Sequence, residues 1–127
     1  MAKRGYGGVV LVTSGAAWAG GSRLAVYGAS KAFDLILAES LWAELGPSGV
    51  HVLAMVLGQT DTPALRSLLG ERELDGLADP DDVVRDMLEN LANGPIWPPD
   101  PSLLGSVPRW LAVEVMTQVS DSLFESP

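Results

Sequence analysis

Ser14, Tyr27 and Lys31 are the residues of this chain whose types and spacing could do chemistry. Tyr27 and Lys31 stand four positions apart. If the tyrosine opens a helix, the ammonium lies one turn further on, on the same helix face as the phenol. An ammonium held close to a phenol favours the phenolate. A phenol tuned in this way can give a proton to a carbonyl oxygen or take one from an alcohol. Ser14 adds a hydroxyl at the end of the apolar run Val9-Val10-Leu11-Val12. A Tyr-x-x-x-Lys spacing by itself also describes an ordinary helix face with a solvated lysine. The chain has only two lysines and two tyrosines, which makes a chance pairing rarer.

These side chains need elements to carry them. Val9 to Val12, bounded by Gly7-Gly8 and Thr13-Ser14, has the continuous β-branched character of a strand buried on both faces of a parallel sheet. Gly15 to Ser22 reads as loop. From Ala25 to Leu45 only Gly28 interrupts good helix formers, which predicts a long helix beginning just before the tyrosine. Its apolar residues fall in two stripes. Val26, Ala29, Phe33, Ile36, Leu37 and Leu41 make one; Leu35, Ala38, Trp42 and Leu45 make the other. A helix apolar on two sides packs on two sides: one against the sheet, the other against a second partner or neighbouring loops. Gly46-Pro47-Ser48-Gly49 ends it, and Val50 to Leu57 is a second buried-strand candidate. Strand, helix, strand at this spacing is a βαβ unit, whose crossover is right-handed and whose strands are parallel. Gly58-Gln59-Thr60-Asp61-Thr62 then leaves the carboxyl end of the second strand, where open parallel sheets bind ligands.

Downstream, Pro63 to Leu69 predicts a short helix, and Gly70 to Leu77 a charged loop. Asp79-Pro80-Asp81-Asp82 is helix-start chemistry, with Asp79 as cap and Pro80 at the first position. Val83, Val84, Met87, Leu88 and Leu91 give that helix an apolar face, and Asn93-Gly94 ends it. Pro95-Ile96-Trp97 reads as a brief edge strand stopped by Pro98, Pro99 and Pro101. Ser106-Val107-Pro108 opens a last helix with Leu111, Val115, Val119 and Leu123 on one face.

Together, Gly8-Val9-Val10-Leu11-Val12-Thr13-Ser14, Tyr27-Gly28-Ala29-Ser30-Lys31, Gly49-Val50-His51-Val52 and Gly58-Gln59-Thr60-Asp61-Thr62 resemble the C-terminal half of a short-chain dehydrogenase/reductase. The resemblance runs closely from about Gly5 to Thr62 and more loosely to about Trp97. It implies an α/β fold: part of a Rossmann-like, doubly wound parallel sheet with additional C-terminal helices. Residues 1–127 then make one partial domain. Residues 1–62 are its strand–helix–strand catalytic core, 63–78 a substrate-loop-like region, and 79–127 the C-terminal helices and short strand.

By the same resemblance Tyr27 is the acid/base. Lys31 supports it and holds the nicotinamide ribose, and Ser14 hydrogen-bonds the reacting oxygen. Tyr27, Lys31, Gly58, Thr60 and Thr62 are the cofactor-binding residues, with NAD or NADP as cofactor and a small carbonyl compound or alcohol as substrate. Leu57 stands where the family usually has proline, and His51 where it often has arginine. The family's corresponding helix commonly lies at a subunit interface, which implies a homo-oligomer through residues 25–45.

Composition excludes several alternatives. A formal charge of −8 argues against nonspecific nucleic-acid binding and against an anionic membrane surface. With no cysteine there is no disulfide framework, thiolate nucleophile or cysteine metal site. The lone histidine, His51, reads as a strand residue, and Ser14 has Val12 where a nucleophile elbow wants glycine, which argues against a Ser-His-Asp hydrolase. The basic start and the apolar run outline a signal peptide, yet the apolar core is too short for one, so the expected compartment is the cytoplasm.

A dinucleotide fold also needs a glycine-rich turn after its first strand to receive the pyrophosphate. Gly5, Gly7 and Gly8 precede a strand, and Gly15 to Gly21 is not followed by Lys-Ser/Thr. The family's first half is absent from this sequence. The expectation is a fragment, a start set too late, or a separate chain that supplies the missing N-terminal half. The alternative function is a non-catalytic interaction or oligomerisation remnant of the same fold, and a third reading is a remnant without stable structure of its own.

Overall fold

The computed structural model describes residues 1–98 and 107–124. The two apolar runs form strands β1 (Gly7–Ser14) and β2 (Val50–Leu57). They pair in parallel with Gly7 opposite Val50 and Ser14 opposite Leu57. Helix α1 (Ala25–Leu45) makes the crossover between them, over the range its composition predicts. The strand ends Ser14 and Leu57 are therefore neighbours at the carboxyl edge of the sheet. A third strand, β3 (Ile96–Trp97), adds parallel to the far side of β2, giving the order β1-β2-β3. This is the expected α/β architecture.

The core lies between β2 and α1. Val50, Val52, Ala54 and Val56 alternate along β2 onto one face and bury against Leu35 and Ala38, with Leu41 and Leu45 packed at the side. The stripe that meets the sheet is thus the one containing Leu35, Ala38 and Leu45. The other stripe, apart from Leu41, stands largely uncovered among the described residues: Val26 is 84% exposed, Phe33 66% and Ile36 59%. Among the described residues no second partner covers that side of α1.

Strand β2 is buried on both faces, with Leu53 and Met55 opposite the α1 side. β1 corrects its expectation. It is an edge strand in the sheet order, and Val12 is 48% exposed. Only Val9, Leu11 and Thr13 have their own face covered by α1 and the core.

Beyond β2, helix α2 (Pro63–Leu69) is capped by Thr62, whose hydroxyl accepts from Leu65 N–H. The segment after it returns to the sheet end through Asp61 N–H to Ala78 C=O and Ala78 N–H to Gln59 C=O. Helix α3 (Pro80–Glu89) begins on its Asp79 cap as the sequence predicts. None of its residues is buried, however, and Val84 and Leu88 of its apolar face stand in solvent. The Trp97 indole N–H donates to Asp86 at 2.8 Å, which ties β3 to α3.

The last helix, α4 (Arg109–Phe124), buries a different face from the one expected. Ala112, Met116 and Ser120 are buried, while Val115 and Val119 are exposed. The reason is its partner: α4 packs on the small residues of the loop after β1, where Ala16, Ala19 and Leu24 form a second cluster with Ala112 and Met116. A stripe of small side chains fits that close approach better than a stripe of valines. Ser106, Pro99 and Pro101, named above as helix opener and strand stops, lie outside the described residues. Among the described residues no helix is long and apolar enough to cross a membrane, and no cluster of metal-ligating side chains occurs.

Candidate active site at the carboxyl edge of the sheet

Ser14 is the last residue of β1. Its extended backbone caps a turn of 3-10 helix (Gly15–Ala17), and its hydroxyl oxygen accepts from Ala16 N–H at 3.2 Å. That hydrogen bond uses a lone pair and leaves the O–H as a donor. The loop then runs to α1, whose first turn carries Tyr27. Gly28, next to it, is buried; a Cβ there would stand 3.2 Å from the Ala16 carbonyl oxygen, so the loop lies tightly on the helix start.

Lys31 follows one turn later. Its ammonium lies 5.9 Å from the centroid of the Tyr27 ring, so the two side chains share a face as the spacing predicts. Nζ donates to Val12 C=O at 3.0 Å and to Asp34 Oδ2 at 3.4 Å. The third N–H of the ammonium has no acceptor among the described residues. Tyr27 is 48% exposed.

Gly58, Thr60 and Thr62 arrive from the other strand, in the turn that leaves β2. Thr60 is buried and donates to Gly58 C=O at 3.4 Å. A Cβ on Gly58 would meet nothing within 4 Å, so this turn is open to a ligand. Ser14, Tyr27, Lys31, Gly58, Thr60 and Thr62 all line a single open cavity of about 830 Å³. All six candidate residues are therefore brought together. His51, by contrast, is exposed on β2 and has no part in the cavity.

Part of the cavity's lining is apolar and comes from elements the sequence did not connect with this site: Leu65 and Leu68 of α2, and Met116, Val119 and Leu123 of α4. Arg72, just after α2, donates to Leu123 C=O at 2.7 Å and to Leu69 C=O at 3.1 Å, joining the two helices. Sequence reasoning also missed Arg23 and Trp18, which line the same cavity. Their one visible signal was position, inside the loop between the serine and the tyrosine. The Trp18 indole N–H is buried with no acceptor among the described residues.

At the rim, Asp61 and Arg66 form a bidentate pair, 2.5 Å from Nε to Oδ1 and 2.7 Å from Nη2 to Oδ2. The hydrogen bonds from Arg66 hold the Asp61 carboxyl below the usual carboxylate range, with the guanidinium charge adding in the same direction.

The model of the short chain dehydrogenase family matches residues 1–73. Eighteen chains of solved structures match as well. A short chain dehydrogenase/reductase family protein is 35% identical, with a TM-score of 0.64, over 72% of this chain and 40% of its own. The bulky-bulky ketone specific alcohol dehydrogenase from Comamonas testosteroni is 27% identical, with a TM-score of 0.59, over 98% of this chain and 46% of its own. The chain thus spans less than half the length of these two structures. No curated protein matches it.

Proposed function

The chain belongs to the short chain dehydrogenase family, and from that premise we propose that it is the carbonyl-handling part of an NAD(P)-dependent oxidoreductase. The observation that carries this reading is the meeting of Ser14, Tyr27 and Lys31 with the Gly58–Thr62 turn on one cavity. A bound nicotinamide would supply a hydride to the carbonyl carbon, or accept one in the reverse direction. In reduction, Tyr27 gives its hydroxyl proton to the carbonyl oxygen. Ser14 donates its free O–H to the same oxygen and stabilises the charge that develops there. Lys31 supports the phenolate left behind and offers its remaining N–H to a ribose hydroxyl. Thr60 and Thr62, with the open backbone at Gly58, fit the nicotinamide end of the cofactor.

No glycine-rich pyrophosphate turn follows a strand in this sequence, and a further polypeptide segment would supply it. The position of β1 at the edge of the sheet among the described residues supports such a partner, since an edge strand can pair with another strand. Alone, the chain should bind NAD(P) weakly, through the nicotinamide end only, and calorimetry measures this directly. The catalytic test is consumption of NADH or NADPH with a panel of ketones, in the presence of a polypeptide carrying the glycine-rich half. Tyr27→Phe should reduce turnover by at least ~10². Undiminished turnover in that variant overturns the proposal.

The exposed stripe Val26, Phe33 and Ile36 favours a second reading, a non-catalytic interaction module that keeps the α1 surface for a second copy. Activity that survives none of the cofactor conditions, together with stable self-association, would favour it.

A further inference from the structure

We propose that Arg23 reads an anionic group on the substrate, so that the cavity takes a carbonyl compound with an apolar body and a carboxylate. This rests on the oxidoreductase reading above and names the substrate class for it. Arg23 is the one residue other than glycine with positive φ among the described residues, at 61°. L side chains resist that left-handed conformation, and where it persists the surroundings over-determine it. Here the surroundings are visible. Ser22, immediately before, is held on both sides of its peptide unit by α4: its N–H donates to Thr117 Oγ1 at 3.1 Å, and its C=O accepts from Ser120 Oγ at 2.6 Å. Ser120 is fully buried. Gly21 lies so close to Met116 that a Cβ would stand 2.9 Å from its Cγ, and Arg109 Nη1 donates to Trp18 C=O at 2.7 Å. The loop is thus pinned to α4 at three points, and the pinned backbone presents Arg23 at the cavity.

Charge supports the same conclusion. The chain carries sixteen acidic residues against eight basic ones, yet the two charged residues lining the cavity, Arg23 and Lys31, are both cationic. Lys31 is engaged with Val12 and Asp34. Arg23 makes no hydrogen bond or ion pair among the described residues. Its planar fork suits a carboxylate, which it can bind through two parallel hydrogen bonds. Arg23 is exposed and lines the cavity, so its fork is open to a ligand there. The apolar body of the ligand would lie on the wall formed by Leu65, Leu68, Met116 and Val119.

The test is binding by the full chain, followed by ligand-observed NMR and calorimetry, with 4-oxo-4-phenylbutanoate and its methyl ester as probes. The acid should bind about tenfold more tightly than the ester, as charge-assisted hydrogen bonds predict. Arg23→Gln should remove that preference and leave ester binding unchanged. Arg23→Gly relieves the left-handed strain, so it should lose the preference while its melting temperature stays level or rises, which separates ligand recognition from folding. Arg4→Gln, remote from the cavity, should keep the preference. Equal binding of acid and ester, binding of neither, or a preference retained in Arg23→Gln overturns the inference. Binding of the acid with no turnover even when the glycine-rich half and NADH or NADPH are supplied leaves it standing and counts against the oxidoreductase reading. Turnover of ketones with no charge preference does the reverse.

Discussion

The Thr13 hydroxyl donates to the main-chain carbonyl of Lys31 at 2.8 Å, while the Lys31 ammonium returns a hydrogen bond to the carbonyl of Val12 at 3.0 Å. The strand end and the helix that carries the tyrosine are therefore clasped from both directions. Thr13 is almost fully buried, so water does not compete for its hydroxyl. The clasp fixes where the lysine backbone sits and limits where its ammonium can reach. That makes Thr13 a positioning residue for a group it never meets through its own side chain.

Thr13→Val keeps the shape and deletes the hydroxyl. It should cost about 1 kcal/mol of stability, the net worth of one neutral hydrogen bond, measured by urea unfolding. Thr13→Ser should recover most of that loss. If valine is as stable as threonine, the clasp contributes nothing.

The three candidate catalytic side chains should fail in different ways once turnover is established with the glycine-rich half present. Tyr27→Phe removes the proton donor and should reduce kcat by ~10²–10⁴ with cofactor binding intact. Ser14→Ala should reduce kcat by about 10²-fold, the scale of losing one donor to a developing oxyanion. Lys31→Met should reduce kcat and also weaken cofactor binding, since the lysine serves both. Steady-state kinetics with one ketone and both dinucleotides distinguishes these patterns. Equal effects of all three on KM alone would contradict the assigned roles.

The strand–helix–strand core was legible because its signals are local. Apolar runs, glycine turns and a four-residue spacing lie within consecutive residues, and α1 and β2 have the expected bounds. The exposure of β1 was not legible, because burial depends on what lies beside a strand and not on its own β-branched composition. The face of α4 was misread for the same reason. Its valines are spaced for a helix stripe, but the surface it meets is a loop of alanines and glycines, which selects Ala112, Met116 and Ser120. The cavity's apolar lining joins residues some fifty positions apart in sequence, as Arg72 and Leu123 do. Nothing in the periodicity of either segment announces that meeting.

The Asp61–Arg66 pair carries a pH dependence of definite sign. The Asp61 carboxyl is held below its ordinary range in the folded chain, chiefly by the hydrogen bonds from Arg66. A depressed folded value means that its contribution is present above the unfolded carboxylate range and is lost as pH falls through the folded one. The window therefore opens below about pH 4. Carbon NMR of the Asp61 carboxyl should record a midpoint below that of a free aspartate. Arg66→Gln should raise the midpoint towards the ordinary range. Because the pair is solvent-exposed, stability at neutral pH should change little, and less in high salt. A midpoint unmoved by Arg66→Gln would mean the pair is not formed in solution.

The uncovered side of α1 leads to the last prediction. Val26, Phe33 and Ile36 lie on the helix side away from the sheet, and large apolar side chains grouped in this way mark an interaction surface. A helix that offers this stripe to a second copy buries it without any change in its own packing on β2. The chain should therefore self-associate in a concentration-dependent way, followed by sedimentation velocity over a wide range of loading. Phe33→Glu with Ile36→Glu should weaken association at least tenfold, since two charges would have to be desolvated on contact. Both positions are exposed, so the helical circular dichroism and the midpoint of urea unfolding should remain near those of the unaltered chain. The outer edge of β1 offers a rival route through strand pairing, and it gives a different result. If the edge carries the association, the double variant keeps it, whereas Val10→Pro, which removes a backbone donor from β1, should abolish it. A sharp monomer at every concentration would exclude both routes and leave the α1 stripe free for a different protein.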